Sequence, residues 1–123
     1  MAWPKLFADV NWIADPQSPT DLEKKHAPVM SAPSSVQAGE LFDVTIEVGK
    51  MLPHPNELEH FIEFIELYAD DRFLCRVDLT AETSSPKVTF RIALPGPTDE
   101  LRAYERCNIH GVWASSQDMN VSE

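Results

Sequence analysis

This chain of 123 residues contains four histidines and two cysteines, and each histidine stands beside a residue that suits a metal site. The settings are Lys25-His26-Ala27-Pro28, His54-Pro55-Asn56, Glu59-His60 and Cys107-Asn108-Ile109-His110. A C-x-x-H turn can bring a thiolate and an imidazole to one ion, and Gly111 behind it permits tight backbone curvature. Taken alone, that turn also reads as half of a structural zinc site. His54 lies between Pro53 and Pro55, whose fixed φ angles make a rigid mount; a loop histidine with its ring in water fits the same residues. His54 and His60 would be about 20 Å apart on a straight strand. They meet at one ion only if residues 55–59 fold back, and Asn56 with Glu59 resembles the start of one helical turn. Lys25 is by itself a solvated cation; beside a site for an anionic oxygen species it becomes an attractor and an organiser of proton delivery.

Four imidazoles and the Cys107 thiolate suit a redox metal. Imidazole binds iron well, and a soft thiolate donates electron density to it. Zinc prefers four ligands, so five protein donors are one too many for a structural zinc site. Fe(II) with one thiolate carries a net charge of about +1, and Lys25 adds another. With a screening length of about 8 Å at physiological salt, this local field outweighs acidic groups farther away.

The elements that must position these residues read as β-strands. Phe42, Val44, Ile46 and Val48 alternate with polar residues. Within 60–69, Ile62 and Phe64 fall on one face and Phe61, Ile65 and Leu67 on the other, a pattern for a strand covered on both sides. Phe73, Cys75, Val77 and Leu79 alternate again, as do Val88, Phe90, Ile92 and Leu94, with a weaker ladder over Leu101–Cys107. Asp70-Asp71 and Pro95-Gly96-Pro97-Thr98 supply turns. Several short strands without a long helix predict an all-β, antiparallel β-sandwich. Residues 1–22 read as an irregular arm with a short helical turn, capped by Ser18 before Pro19 or by Thr20 in the capping box Thr20-Asp21-Leu22-Glu23. Trp3, Phe7 and Trp12 would anchor that arm, and residues 23–123 form one metal-binding sandwich domain.

Twenty acidic against ten basic residues give a formal net charge of −10. With no Lys/Arg cluster to displace counterions, nucleic acid is excluded as a partner. No apolar run is long enough to cross a bilayer, and the first residues lack the apolar core of a secretory signal, so the cytoplasm is the default location. Cys75 falls on an alternating strand and reads as a small buried hydrophobe, and no disulfide framework is indicated.

The ordered set Lys25-His26-Ala27-Pro28-Val29, His54-Pro55-Asn56-x-x-Glu59-His60 and Cys107-Asn108-Ile109-His110-Gly111-Val112-Trp113 resembles the superoxide reductases, the neelaredoxin and desulfoferrodoxin iron proteins, over roughly residues 23–116. Val48-Gly49-Lys50 and Ile65-Glu66-Leu67-Tyr68 are similar to the family too. The resemblance implies an immunoglobulin-like sandwich with a mononuclear iron. His26, His54, His60 and His110 would be its equatorial ligands and Cys107 its axial thiolate. Superoxide would be the substrate, hydrogen peroxide the product and a rubredoxin-like protein the electron donor. Related sandwiches assemble as dimers or tetramers, so a homo-oligomer is expected. No four-cysteine rubredoxin-like segment is present in this sequence, which fits the one-iron type. One departure stands out: where the family commonly reads Glu-Lys-His, with the Glu closing the sixth position of the resting ferric site, this chain reads Glu23-Lys24-Lys25-His26. Glu23 is thereby one residue out of register and doubles as the capping-box acid, which predicts a ferric site without a Glu ligand. Two other functions fit the same donors: a non-catalytic metal-carrying or structural module, and a superoxide dismutase, which would release oxygen as well.

Overall fold

The computed structural model describes residues 9–123. A short helix α1 (Asp21–His26) precedes nine strands: β1 (Val29–Ser31), β2 (Ser35–Gln37), β3 (Phe42–Glu47), β4 (Ile62–Ala69), β5 (Arg72–Asp78), β6 (Lys87–Ile92), β7 (Glu100–Cys107), β8 (Gly111–Asp118) and β9 (Asn120–Ser122). They form a three-stranded sheet in the order β1-β3-β6 and a four-stranded sheet in the order β5-β4-β7-β8. Both are antiparallel throughout. The pair β2-β9 is parallel and joins Ser35–Gln37 to the C-terminal Asn120–Ser122. The core comprises Phe42, Val44 and Ile46 of β3, Ile62, Ile65 and Leu67 of β4, Leu101, Ala103 and Cys107 of β7, and Ile92 and Leu94 from the β6 side. Among the described residues no helix is long and apolar enough to cross a membrane.

The antiparallel sandwich predicted from period-two patterning is therefore present, and β3, β6 and β7 follow their expected alternation. Two register shifts alter the other strands. One, between Ile62 and Phe64 of β4, turns Ile62 inward with Ile65, while Phe64 faces outward beneath the Arg76 guanidinium, 4.0 Å from its ring centre. The expected partition of β4 faces is thus replaced, because a bulge shifts the alternation by one residue. The other lies between Leu67 and Tyr68 opposite β5. It leaves Leu74, Cys75, Val77 and Leu79 against the core but Phe73 about half exposed, edge-on to Tyr68. Cys75 and Cys107 are both free thiols.

Thr20, not Ser18, caps α1. Its side chain accepts from the Glu23 amide, and the Glu23 carboxylate accepts from the Thr20 amide, completing the capping box. Lys24, Lys25 and His26 occupy the last turn, where the helix dipole favours positive charge. The arm is tied at Asn11: its backbone pairs in parallel with β8 beside Trp113, through Asn11 N–H to Val112 O and Ala114 N–H to Asn11 O, both 2.9 Å. Trp12 lies on the surface, its ring 6.0 Å from the Arg102 guanidinium carbon, so backbone pairing holds this part of the arm rather than aromatic burial. Trp3 and Phe7 lie outside the described residues.

Replacing Thr20 with Ala removes the side-chain acceptor at the helix start and is expected to cost about 1 kcal/mol. Ser18→Ala should stay within about 0.5 kcal/mol of the parent. Denaturant unfolding of the metal-free protein reads both, and equal effects would place the cap at Ser18 instead.

Candidate metal centre

Each candidate ligand is delivered by a different local device. His26 ends α1 and is almost fully buried, with Nδ1 2.7 Å from the Leu22 carbonyl one turn back. A carbonyl only accepts, so Nδ1 carries the proton and Nε2 presents its lone pair. His54 repeats the arrangement, its Nδ1 2.6 Å from the Pro55 carbonyl. In both rings a backbone acceptor fixes tautomer and orientation, as is usual for metal-binding imidazoles. The backbone that carries His54 depends on Gly49, which has φ +86° and where a Cβ would lie 2.7 Å from the His54 nitrogen.

His60 is brought back toward His54 by a tight reversal rather than the helical turn suggested by Asn56 and Glu59. Glu57 and His60 pair antiparallel, exchanging hydrogen bonds of 2.9 and 3.0 Å around Leu58 and Glu59. Asn56 does not cap a helix; it donates to Ser84 O and accepts from the Glu82 amide. Cys107 ends β7 and His110 is the last of the three residues that link it to β8, and Gly111, at φ +79°, supplies the left-handed conformation expected of it.

The four imidazoles form a closed circuit. Ring centres are 4.8 Å apart for His26–His54, 4.6 Å for His54–His60, 5.1 Å for His60–His110 and 4.7 Å for His110–His26. Across the circuit, His26 and His60 are 6.3 Å apart. Donor atoms of His26, His60, Cys107 and His110 all lie within 4.8 Å of one another. His54 completes the circuit at ring distance without belonging to that tightest group. Cys107 Sγ is buried, 3.6 Å from His110 Nδ1. The Trp113 indole stacks on His26 at 5.2 Å and donates to the His110 carbonyl at 3.1 Å.

The Nε2 atoms of His26, His54 and His60 are buried without a hydrogen-bond partner. Unpaired buried nitrogens are costly, and a cation at the centre would satisfy all three at once. Burial lowers the His26 and His54 pKa values to about 4, with the neighbouring imidazoles acting in the same direction, and it lowers that of His110 as well. These rings are thus neutral at pH 7, the form in which an imidazole can bind a metal. Burial raises the Cys107 thiol, opposed by the backbone amides of Ile109 and His110. Nitrogen and sulfur donors of this kind fit iron.

Lys25 lies half-buried in the last turn of α1 beside His26, and its charge helps lower the pKa of both His26 and His110. Glu23 is engaged elsewhere: Oε1 accepts from the Thr20 amide at 2.8 Å and Oε2 from the Ala14 amide at 3.0 Å. Those two amides hold its carboxyl below the ordinary range. Sequence reasoning missed Glu105, fully buried on the core face of β7 two residues before Cys107, with neither carboxylate oxygen hydrogen-bonded. Burial pushes its carboxyl well above the ordinary value, partly opposed by the Cys107 amide. Only its position in the Leu101, Ala103, Cys107 alternation could have marked it.

Metal-free protein is expected to lose stability as pH falls from 6.5 toward about 4, because His26 and His54 stay neutral in the fold while unfolded imidazoles take up protons. A bound metal should displace that loss to lower pH. Melting temperatures of both forms across the window test this, and a flat metal-free curve would mean that the rings are solvated.

The desulfoferrodoxin family model matches residues 18–116. The chain is 34% identical over 107 residues to the superoxide reductase of Pyrococcus furiosus, covering 73% of this chain and 84% of that one. It is 34% identical over 112 residues to neelaredoxin of Megalodesulfovibrio gigas, covering 76% and 85%. The solved superoxide reductase (neelaredoxin) of Ignicoccus hospitalis superposes with a TM-score of 0.71 at 36% identity, covering 78% of this chain and 80% of that one. A family match over most of the sandwich, together with a cluster of imidazoles and a thiol suited to mononuclear iron, makes this chain a member of the desulfoferrodoxin family, a superoxide reductase.

Proposed function

We propose that His26, His54, His60, His110 and Cys107 together hold the single iron, and that Lys25 serves the substrate beside it. The observation that carries this reading is the closed circuit of imidazoles with three buried, unpartnered Nε2 atoms next to a buried thiol. Iron held there would supply the one electron that takes superoxide to the peroxide oxidation level, an electron that an external donor would replace. Superoxide takes up that electron and two protons to become hydrogen peroxide. The Lys25 ammonium draws the anion toward the rim of the cluster and donates a hydrogen bond to its oxygen, organising water for protonation. The amides of Ile109 and His110 aim at Cys107 Sγ and favour its thiolate, tempering electron donation from sulfur. The stacked Trp113 ring covers His26 and excludes water from that side.

The ferric centre lacks a Glu ligand in this reading. The Glu23 carboxylate is committed to two backbone amides that cap α1 and hold the arm, so the position left free by the five donors stays open to water or small anions. A rubredoxin-like protein is the proposed donor and a dimer or tetramer the proposed assembly, both by resemblance to the family. A dismutase would release oxygen from superoxide, whereas a reductase consumes one external electron per superoxide and releases none.

Iron-loaded protein is expected to show a thiolate-to-ferric charge-transfer band that bleaches on reduction and is absent in Cys107→Ser; stoichiometric iron without such a band would remove Cys107 from the ligand set. Lys25→Ala should lower the second-order rate with superoxide about tenfold and flatten its dependence on ionic strength, as read by pulse radiolysis. Glu23→Ala should lower the melting temperature yet leave the ferric band in place, and a displaced band would make Glu23 a ligand.

A further inference from the structure

We infer that Asn108 is a positioning residue for the metal centre: its side-chain amide locks the Cys107–His110 turn to both residues that flank His60, and so fixes where that imidazole meets the thiol. The inference rests on the ligand reading above but concerns a residue that touches no metal.

Three hydrogen bonds carry it. Asn108 Oδ1 accepts from the Phe61 amide at 2.9 Å, and Nδ2 donates to the Glu59 carbonyl at 2.9 Å. The Asn108 backbone amide donates to the Phe61 carbonyl at 3.2 Å. His60 is therefore bracketed on both sides by one residue of the other motif. The regular ladder between β4 and β7 gives out here: Ile62↔Cys107 is its last pair, next to a register shift. Beyond it the side-chain amide of Asn108 acts as a surrogate peptide group, donating and accepting where the strands no longer can.

His60 needs such help more than its neighbours do. His26 and His54 have Nδ1 engaged by a nearby backbone carbonyl, and His110 Nδ1 abuts Cys107 Sγ. No hydrogen bond to either nitrogen of His60 is seen among the described residues, so its ring direction follows its backbone. The Glu57–His60 reversal holds itself together, but its tip residue Leu58 is 70% exposed, so core packing does not seat it. Asn56 ties the start of that segment to Glu82 and Ser84, away from the thiol. Asn108 is what connects it to Cys107. Ala provides neither bond, and Asp keeps the acceptor while setting a carboxylate oxygen against the Glu59 carbonyl.

The experiment compares Asn108→Ala, Asn108→Asp and, as control, Leu58→Ala, whose side chain is exposed at the tip of the reversal that carries His60. Amide hydrogen exchange is read on metal-free protein; iron affinity by chelator competition, the ferric charge-transfer band and the reduction potential are read on loaded protein. Asn108→Ala is expected to lose protection at the Phe61 amide, to bind iron about 10–100-fold more weakly and to shift band and potential. Asn108→Asp should keep Phe61 protected with a smaller loss of affinity, and Leu58→Ala should match the parent. If Asn108→Ala does not fold, Asn108→Asp carries the comparison. Parental affinity, band and potential in the Asn108 variants would overturn the inference, whatever their melting temperatures, and so would an unprotected Phe61 amide in the parent. Failure of the parent to show the thiolate band would instead overturn the ligand reading, since the exchange measurement needs no iron.

Discussion

Three imidazole nitrogens buried without a protein partner, on His26, His54 and His60, set the terms for the rest of the molecule. Each orphaned buried polar atom costs about 1–3 kcal/mol. Crowding four rings into one circuit also removes the water that would solvate them. The sandwich offsets this with a core whose Val44, Ile46, Ile65, Leu67, Leu94 and Leu101 are wholly buried. The same desolvation that makes unpartnered nitrogens costly keeps His26 and His54 unprotonated, which is the state a metal requires. Stability and ligand chemistry are thus two sides of one burial.

The labour is divided along the chain. Period-two strands make the core, while the short helix, the proline-bounded segment around His54 and the β7–β8 turn carry the donors. Only β7 serves both: its inward face runs Leu101, Ala103, Glu105, Cys107, so a carboxyl and the thiol share a surface otherwise given to packing. Burial favours the neutral acid at Glu105, which spares the thiolate a second negative charge nearby.

Strands whose apolar residues alternate cleanly, such as Phe42–Val48 and Val88–Leu94, were legible because their faces differ in chemistry. Strand β8 was not, since Ala114, Ser115 and Ser116 are too small or polar to mark a face, although its pairing with β7 is unbroken. Bulges escaped as well. The shift beside Ile62 answers to the geometry of the neighbouring turn, and no residue type announces it. The donors were legible by type and order because rare residues in spaced motifs carry information that strands do not. How His54 and His60 approach each other was not, because Asn56 and Glu59 suit a helical start as well as a reversal. At Glu23 the local pattern was legible as well: the Thr20-x-x-Glu23 spacing marks the capping box that the structure forms, while the family register puts Lys24 at the Glu position.

The donors are scattered from residue 26 to residue 110, and the strand pair that closes the fold joins Ser35–Gln37 to Asn120–Ser122. During synthesis the chain emerges N-terminus first, so His26, His54 and His60 leave the ribosome well before the thiol that completes the set. Long-range pairing of this kind is slow to form. A fragment that ends before Cys107 holds three separated imidazoles and only the Cys75 thiol, which lies on β5 and outside the cluster. The five clustered residues can therefore come together only after residue 110 has been made, so their order in the chain sets the earliest moment at which the whole donor set can assemble.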